Sequence, residues 1–79
     1  MESRIFIRQA NALIKKIEAG VDDSAREGVQ KEITSLFIAL LNPTLMTAGR
    51  LRDAALKAEF TVSPQVQHKL EAAESCWNG

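Results

Sequence analysis

A spacing of three or four residues between apolar side chains, repeated in four successive segments, restricts the fold of this chain more than any other feature. In the first segment the apolar residues are Phe6, Ala10, Leu13, Ile14, Ile17 and Val21. Residues at these intervals lie on one face of an α-helix. The stretches that could form strands, residues 4–8 and 60–62, are too brief to compete. The pattern therefore predicts an all-α fold.

Helix boundaries are indicated by glycine, proline and small polar residues. Gly20 is positioned to stop the first helix. Residues 22–24 offer three N-caps for the second, and Ser24 with Glu27 has the spacing of a capping box. Residues 63–64, Ser-Pro, are a typical helix start. We predict helices at approximately 3–19, 24–41, 43–59 and 64–77.

Asn42 and Pro43 interrupt the most apolar stretch of the chain, residues 36–46. Proline disfavours helical geometry at the preceding residue and cannot donate a hydrogen bond to a helix. We therefore predict that Asn42 caps the third helix and that Pro43 is its first residue. Leu41 and Met46 then occupy the two positions of a hydrophobic staple. The stretch is predicted to be a tight, buried corner.

The predicted connections of two to four residues make neighbouring helices antiparallel or steeply angled. A chain of 79 residues has room for one domain. We therefore predict that residues 1–79 form a single small four-helix bundle or orthogonal helical array.

The lone cysteine, Cys76, rules out an internal disulfide and, with no targeting segment apparent, favours a cytoplasmic location. The longest apolar run, 36–41, has six residues, whereas a membrane span needs roughly 20, so we expect no membrane association.

Side chains suited to catalysis or metal binding are few. His68 is the only histidine, so a zinc site needing several His and Cys ligands cannot be built within one chain. His68 and Cys76 would lie two helical turns apart, too far for a nucleophile and its base to share a hydrogen bond. The glycines form no phosphate-binding loop. We expect no enzymatic activity, no metal and no cofactor.

Three apolar side chains fall outside the stripes of their helices. At about 100° per residue, Ile38 points roughly opposite the stripe of the second helix, and Ile5 and Leu56 are similarly displaced. If they meet on one face, they form the kind of apolar patch that marks partner or self-association sites. Burial of Ile38 at the centre of the array and simple exposure without a role are the other two interpretations. Trp77 extends the stripe of the fourth helix and is expected to dock on its own domain or in a pocket of another chain.

The sequence thus predicts a small non-enzymatic protein–protein interaction module, such as an adaptor, a chaperone-like subunit or a regulator. Its partner is another protein or a second copy that forms a homodimer. The predicted partner-binding residues are Ile5, Ile38, Leu56 and Trp77.

A helix-turn-helix DNA-binding regulator is the alternative interpretation, and it rests on residues 50–73. Two helices with a short turn between them are predicted there, and polar residues near the start of the second would face base edges. Ten basic residues balanced by ten acidic ones argue against it, as does Glu59 where such a turn prefers glycine. The predicted phosphate contacts are Arg50, Arg52 and Lys57, and the predicted base contacts are Gln65, Gln67, His68 and Lys69.

Overall fold

A computed structural model describes residues 1–76, which form four α-helices. The helices are α1 (Ser3–Glu18), α2 (Asp23–Ala39), α3 (Met46–Lys57) and α4 (Pro64–Ala72), followed by one 3₁₀ turn, Glu74–Cys76. No β-strand forms part of this described region. The predicted all-α helical array is confirmed.

One hydrophobic core connects all four helices. Of the six residues predicted to form the stripe of α1, four are buried, whereas Ile14 and Val21 are half-buried; α1 packs mainly against α3. Ala10, Ala48 and Ala55 have no exposed surface, and side chains this small allow helix axes to approach closely. The remaining core members are Phe6, Leu13, Ile17, Val29, Ile33, Leu36, Phe37, Leu40, Leu45, Leu51, Phe60, Val62 and Leu70.

The C-terminal end of α2 receives two ammonium groups. The amino group of Met1 donates to the carbonyl of Ala39 at 2.9 Å, and Lys69 Nζ donates to the carbonyl of Leu40 at 3.2 Å. The last carbonyls of a helix lack partners within it and carry partial negative charge, so cations there are favourable. These bonds fasten the start of α1 and the middle of α4 to the same end of α2.

The boundary signals predicted at Gly20 and Ser63 are correct, whereas the capping box predicted at the start of α2 is wrong. Gly20 follows α1 with φ +102°, and Ser63 Oγ accepts the amide hydrogen of Val66 at 3.2 Å. Asp22 occupies the N-cap of α2 without a side-chain bond. Ser24 lies inside the first turn of α2, so the predicted capping box does not form.

The corner at Asn42 differs from the prediction. α2 ends at Ala39 and α3 begins at Met46, so the helices predicted at 24–41 and 43–59 are too long. The Oδ1 of Asn42 accepts hydrogen bonds from the amide, at 3.1 Å, and the hydroxyl of Thr44, which is a local Asx-turn and not a helix cap. Leu41 is 75% and Met46 44% exposed, so the predicted staple is wrong.

Burial of apolar residues in the connections explains this difference. Leu40 and Leu45 bracket the α2–α3 connection with extended backbones, and only 3% and 5% of their surfaces are exposed. Phe60 and Val62 are buried in the same way in the α3–α4 connection. Both connections have six residues, 40–45 and 58–63, where two to four were predicted, and each inserts two side chains into the core.

Glu59 takes a left-handed conformation, φ +66°, just after α3. Its amide donates to the carbonyl of Leu56 at 3.0 Å, and the Phe60 amide donates to Ala55 at 2.8 Å. This pair of bonds is a Schellman motif, whose left-handed position usually holds glycine. The motif turns the chain so that Phe60 enters the core.

α4 ends earlier than predicted. The helix stops at Ala72, Ala73 is its C-cap, and a 3₁₀ turn follows in place of the predicted continuation to residue 77. Leu70 is fully buried, whereas Val66 and Ala73 are half-buried. Trp77, which was predicted to dock at the end of this helix, lies outside the described residues.

Replacement of Leu40 by alanine should lower the free energy of unfolding by about 2–5 kcal/mol, because a buried side chain is truncated. Ile38→Ala, two residues away, should change it by about 0.5 kcal/mol or less, because Ile38 is exposed. Urea denaturation of both variants at low protein concentration measures the difference. Equal losses would show that the buried face of α2 is assigned wrongly.

Glu59→Gly should raise the free energy of unfolding by about 0.5–1 kcal/mol, because glycine adopts the left-handed conformation without steric cost. Glu59→Ala is the matched control, since it removes the carboxylate but keeps the Cβ atom. Thermal or urea denaturation checks both. The same gain in both variants would assign the effect to loss of a negative charge at the end of a helix.

Candidate partner-binding groove

An apolar groove lies between the C-terminal half of α2 and the chain from residue 61 to the first turn of α4. Its apolar lining consists of Ile33, Phe37, Ile38, Val62 and Val66. Its polar lining consists of Gln30, Thr34, Thr61 and Ser63. We refer to these residues together as the α2–α4 groove.

Ile38 stands at the edge of this groove with 78% of its surface exposed. The interpretation that Ile38 is buried at the centre of the array is therefore wrong. Phe37, its neighbour in α2, is buried, which places Ile38 on the outer flank of the helix. Leu41, three residues further on, is 75% exposed. The C-terminal end of α2 thus presents two large apolar side chains to solvent.

Gln30 holds the second wall of the groove in place. Its Oε1 accepts the amide hydrogen of Thr61 at 2.8 Å, and its Nε2 donates to the Thr61 carbonyl at 2.9 Å. The side-chain amide therefore pairs with the main chain as a neighbouring strand would. Gln67 Nε2 donates to the carbonyl of Val62 at 2.9 Å, so residues 61 and 62 are bonded to α2 and α4 respectively.

Arg26 fixes the chain just before that wall. Its Nη2 donates to the carbonyl of Ala58 at 3.0 Å, and its guanidinium carbon lies 4.1 Å from the centre of the Phe60 ring. A cation over an aromatic face is attracted by the ring quadrupole. Arg26 and Gln30, one turn apart on α2, therefore connect that helix to the whole α3–α4 connection.

Among residues 1–76, no charged side chain lines the α2–α4 groove, although a quarter of the whole chain is charged. A second groove, between α1 and α2, differs in this respect. Lys16 and Glu32 form an ion pair across it at 3.6 Å, and Lys31 on its rim pairs with Glu27 at 3.8 Å. Both pairs are exposed and contribute little. Lack of charge thus distinguishes the α2–α4 groove.

Of the three predicted partner-binding residues that the structure describes, Ile38 alone lines this groove. Ile5 on α1 is 45% exposed and Leu56 on α3 is 42% exposed, and neither lines it. Trp77 lies outside the described residues. The exposure of Leu41 was not predicted, because Leu41 was expected to pack against Met46 in a hydrophobic staple. No local sequence pattern shows that this staple fails to form.

Several side chains predicted to contact DNA are bonded within the protein. Arg52 is only 13% exposed and pairs with Asp53 at 2.9 Å. Lys69 and Gln67 donate to main-chain carbonyls. The connection 58–63 is longer than the three or four residues typical of a helix-turn-helix, so the predicted short turn is wrong. Five members of the set are exposed, and Lys69 is among them although its ammonium is bonded; the other four are Arg50, Lys57, Gln65 and His68.

Gln30→Met should lower the free energy of unfolding by about 1–3 kcal/mol, because two hydrogen bonds to Thr61 are lost. The Thr61 amide should also exchange with solvent faster, since Gln30 is its acceptor. Gln65→Met, at an exposed position of α4, is the matched control. Unchanged exchange at Thr61 in the Gln30 variant would show that the segment is held by core packing alone.

Metal-binding and membrane-spanning features were sought over the same region. Residues 1–76 contain no cluster of three or more His, Cys, Asp and Glu side chains placed to hold a metal ion. No helix within this range combines the length and the apolar character needed to cross a bilayer. No family model, curated protein or solved structure matches the chain.

Proposed function

We propose that this protein is a small non-enzymatic interaction module that binds another protein chain through the α2–α4 groove. The observation that carries the proposal is Ile38, 78% exposed beside an apolar groove without charge. Full burial of an isoleucine side chain contributes about 1.5–3 kcal/mol, and most of that gain remains available here. An adaptor, a chaperone-like subunit or a regulator works by such binding alone.

The shape of the groove supports a protein ligand. One wall is a helix, and the other is the segment around residues 61–62, whose main chain is bonded to Gln30 and Gln67. Because the main chain of this wall is already held in place, ligand binding costs little conformational entropy there. Apolar side chains projecting from a helix fit a groove of this kind. A rim of threonine, serine and glutamine offers hydrogen bonds without imposing a charge preference on the partner.

DNA binding through residues 50–73 has weaker support. Two of its four predicted base contacts have exposed side chains without a bond to the main chain, Gln65 and His68. Arg50 is the best probe, because it is exposed whereas Arg52 is paired with Asp53. A complex with duplex DNA at low salt that Arg50→Ala weakens would favour this alternative.

Affinity capture from the native host tests the interaction proposal. The bait variants are Ile38→Lys and Leu56→Lys, which place the same cation in the last turn of α2 and of α3, where it is compatible with the helix dipole. Partners that bind in the groove should be lost from the Ile38→Lys bait by about tenfold or more and retained by the Leu56→Lys bait. Equal recovery of every protein on the unmodified chain and on both variants would contradict the proposal.

A further inference from the structure

We infer that α1 and α3 together form a face that binds the phosphate backbone of a nucleic-acid duplex without reading its bases. This face lies outside the α2–α4 groove, so the inference is independent of the proposed function. Three properties of the molecule support it: the separation of charge between its helices, the positions of the cations on α1 and α3, and the scarcity of apolar side chains among them.

The balance of ten basic and ten acidic residues conceals a separation of charge. α1 and α3 pack against each other more extensively than any other two helices. Together they carry seven basic and two acidic side chains, whereas the rest of the chain carries three basic and eight acidic ones. A local concentration of cations is enough to attract phosphates. The neutral total therefore does not exclude a polyanionic partner.

The cations of α1 lie on the side of the helix that faces away from the core. The buried side holds Phe6, Ala10, Leu13 and Ile17. At about 100° per residue, positions 4, 8, 11 and 15 fall on the opposite side, and all four are exposed. These residues are Arg4, Arg8, Asn11 and Lys15. At 1.5 Å per residue, the row is roughly 16 Å long.

α3 presents a second row with the same spacing. Its exposed positions 46, 50, 53 and 57 are Met46, Arg50, Asp53 and Lys57. Lys57 lines a hollow between α3 and α1 whose other side is formed by Ile17 and Glu18. Arg50 lies two turns before Lys57 on the same side of α3, so the two rows adjoin. We refer to Arg4, Arg8, Lys15, Arg50 and Lys57 as the basic face.

Most cations of the basic face are available to a ligand. Four of the five form no ion pair and no side-chain hydrogen bond within residues 1–76: Arg8, Lys15, Arg50 and Lys57. Two nearby carboxylates are already engaged. Glu2 caps α1 and lies 3.6 Å from Arg4, and Asp53 is paired with Arg52 at 2.9 Å. Glu18 is the remaining carboxylate of α1 and α3, and its charge opposes an anionic ligand.

The side chains between these cations favour duplex phosphates over other anions. Met46 is the only apolar member of the two rows, and neither row has an aromatic residue. Helices that lie on a membrane bury an apolar face, protein interfaces depend on aromatic and apolar anchors, and proteins that bind single strands stack bases on aromatic rings. A duplex carries one negative charge per about 1.7 Å of its axis, and contacts to its backbone carry no sequence information.

The test is fluorescence anisotropy of a labelled duplex DNA of random sequence, titrated with the full chain between about 50 and 200 mM salt. Binding in the micromolar range at the lowest salt is expected, with a slope of log affinity against log salt of about −4 for four or five phosphates. Lys15→Gln should weaken binding about three- to tenfold and make the slope shallower by about one. Lys31→Gln removes the same charge from an exposed position of α2 and should leave both quantities unchanged.

A pair of acidic variants separates the basic face from a helix-turn-helix at residues 50–73, because Arg50 belongs to both. Glu18→Gln should strengthen binding about twofold or more, since it removes the carboxylate beside the basic face. Glu71→Gln, at an exposed position of α4, should have no effect. The reverse result would place the DNA on α4 and overturn the inference. No complex at the lowest salt, equal losses for Lys15→Gln and Lys31→Gln, or binding to anionic lipid vesicles but not to duplex DNA would also overturn it.

Discussion

The fold depends on the burial of four apolar side chains that do not belong to helices. Leu40 and Leu45 enter the core from one connection, and Phe60 and Val62 enter it from the next. Helices as short as α3 and α4 cannot supply enough apolar surface for a core in a chain of this size. The connections therefore take part in packing, and their length follows from that role.

This constraint shows which parts of the fold could be predicted from the sequence. The stripe of α1 and the signals at Gly20 and Ser63 were read correctly, because they depend on local geometry and a regular period. Asn42 was misread, because a capping residue and an Asx-turn residue have the same chemistry. The burial of Leu45 is what decides between these two roles of Asn42. That burial could not be predicted, because a single side chain inserted from a connection leaves no periodic pattern in the sequence.

Part of the candidate groove could also be predicted from the sequence. The displacement of Ile38 from its stripe could be counted from the sequence, and its exposure follows from that displacement. The opposite wall could not be anticipated. It exists because Gln30 reaches Thr61 and Gln67 reaches Val62, contacts between residues with no shared motif. Gln67 was one of the predicted base contacts with DNA. Its side chain is instead hydrogen-bonded to the main chain of the protein.

The pairing of Gln30 with Thr61 has a consequence for the kind of ligand the groove can accept. An exposed extended segment often binds peptides by adding a strand, with main-chain hydrogen bonds supplying much of the affinity. At Thr61 both the amide hydrogen and the carbonyl oxygen are already bonded to Gln30. A strand cannot be added along that edge unless it displaces Gln30. A ligand of the proposed kind would therefore have to be recognised by the fit of its apolar side chains, and not by hydrogen bonds to its main chain.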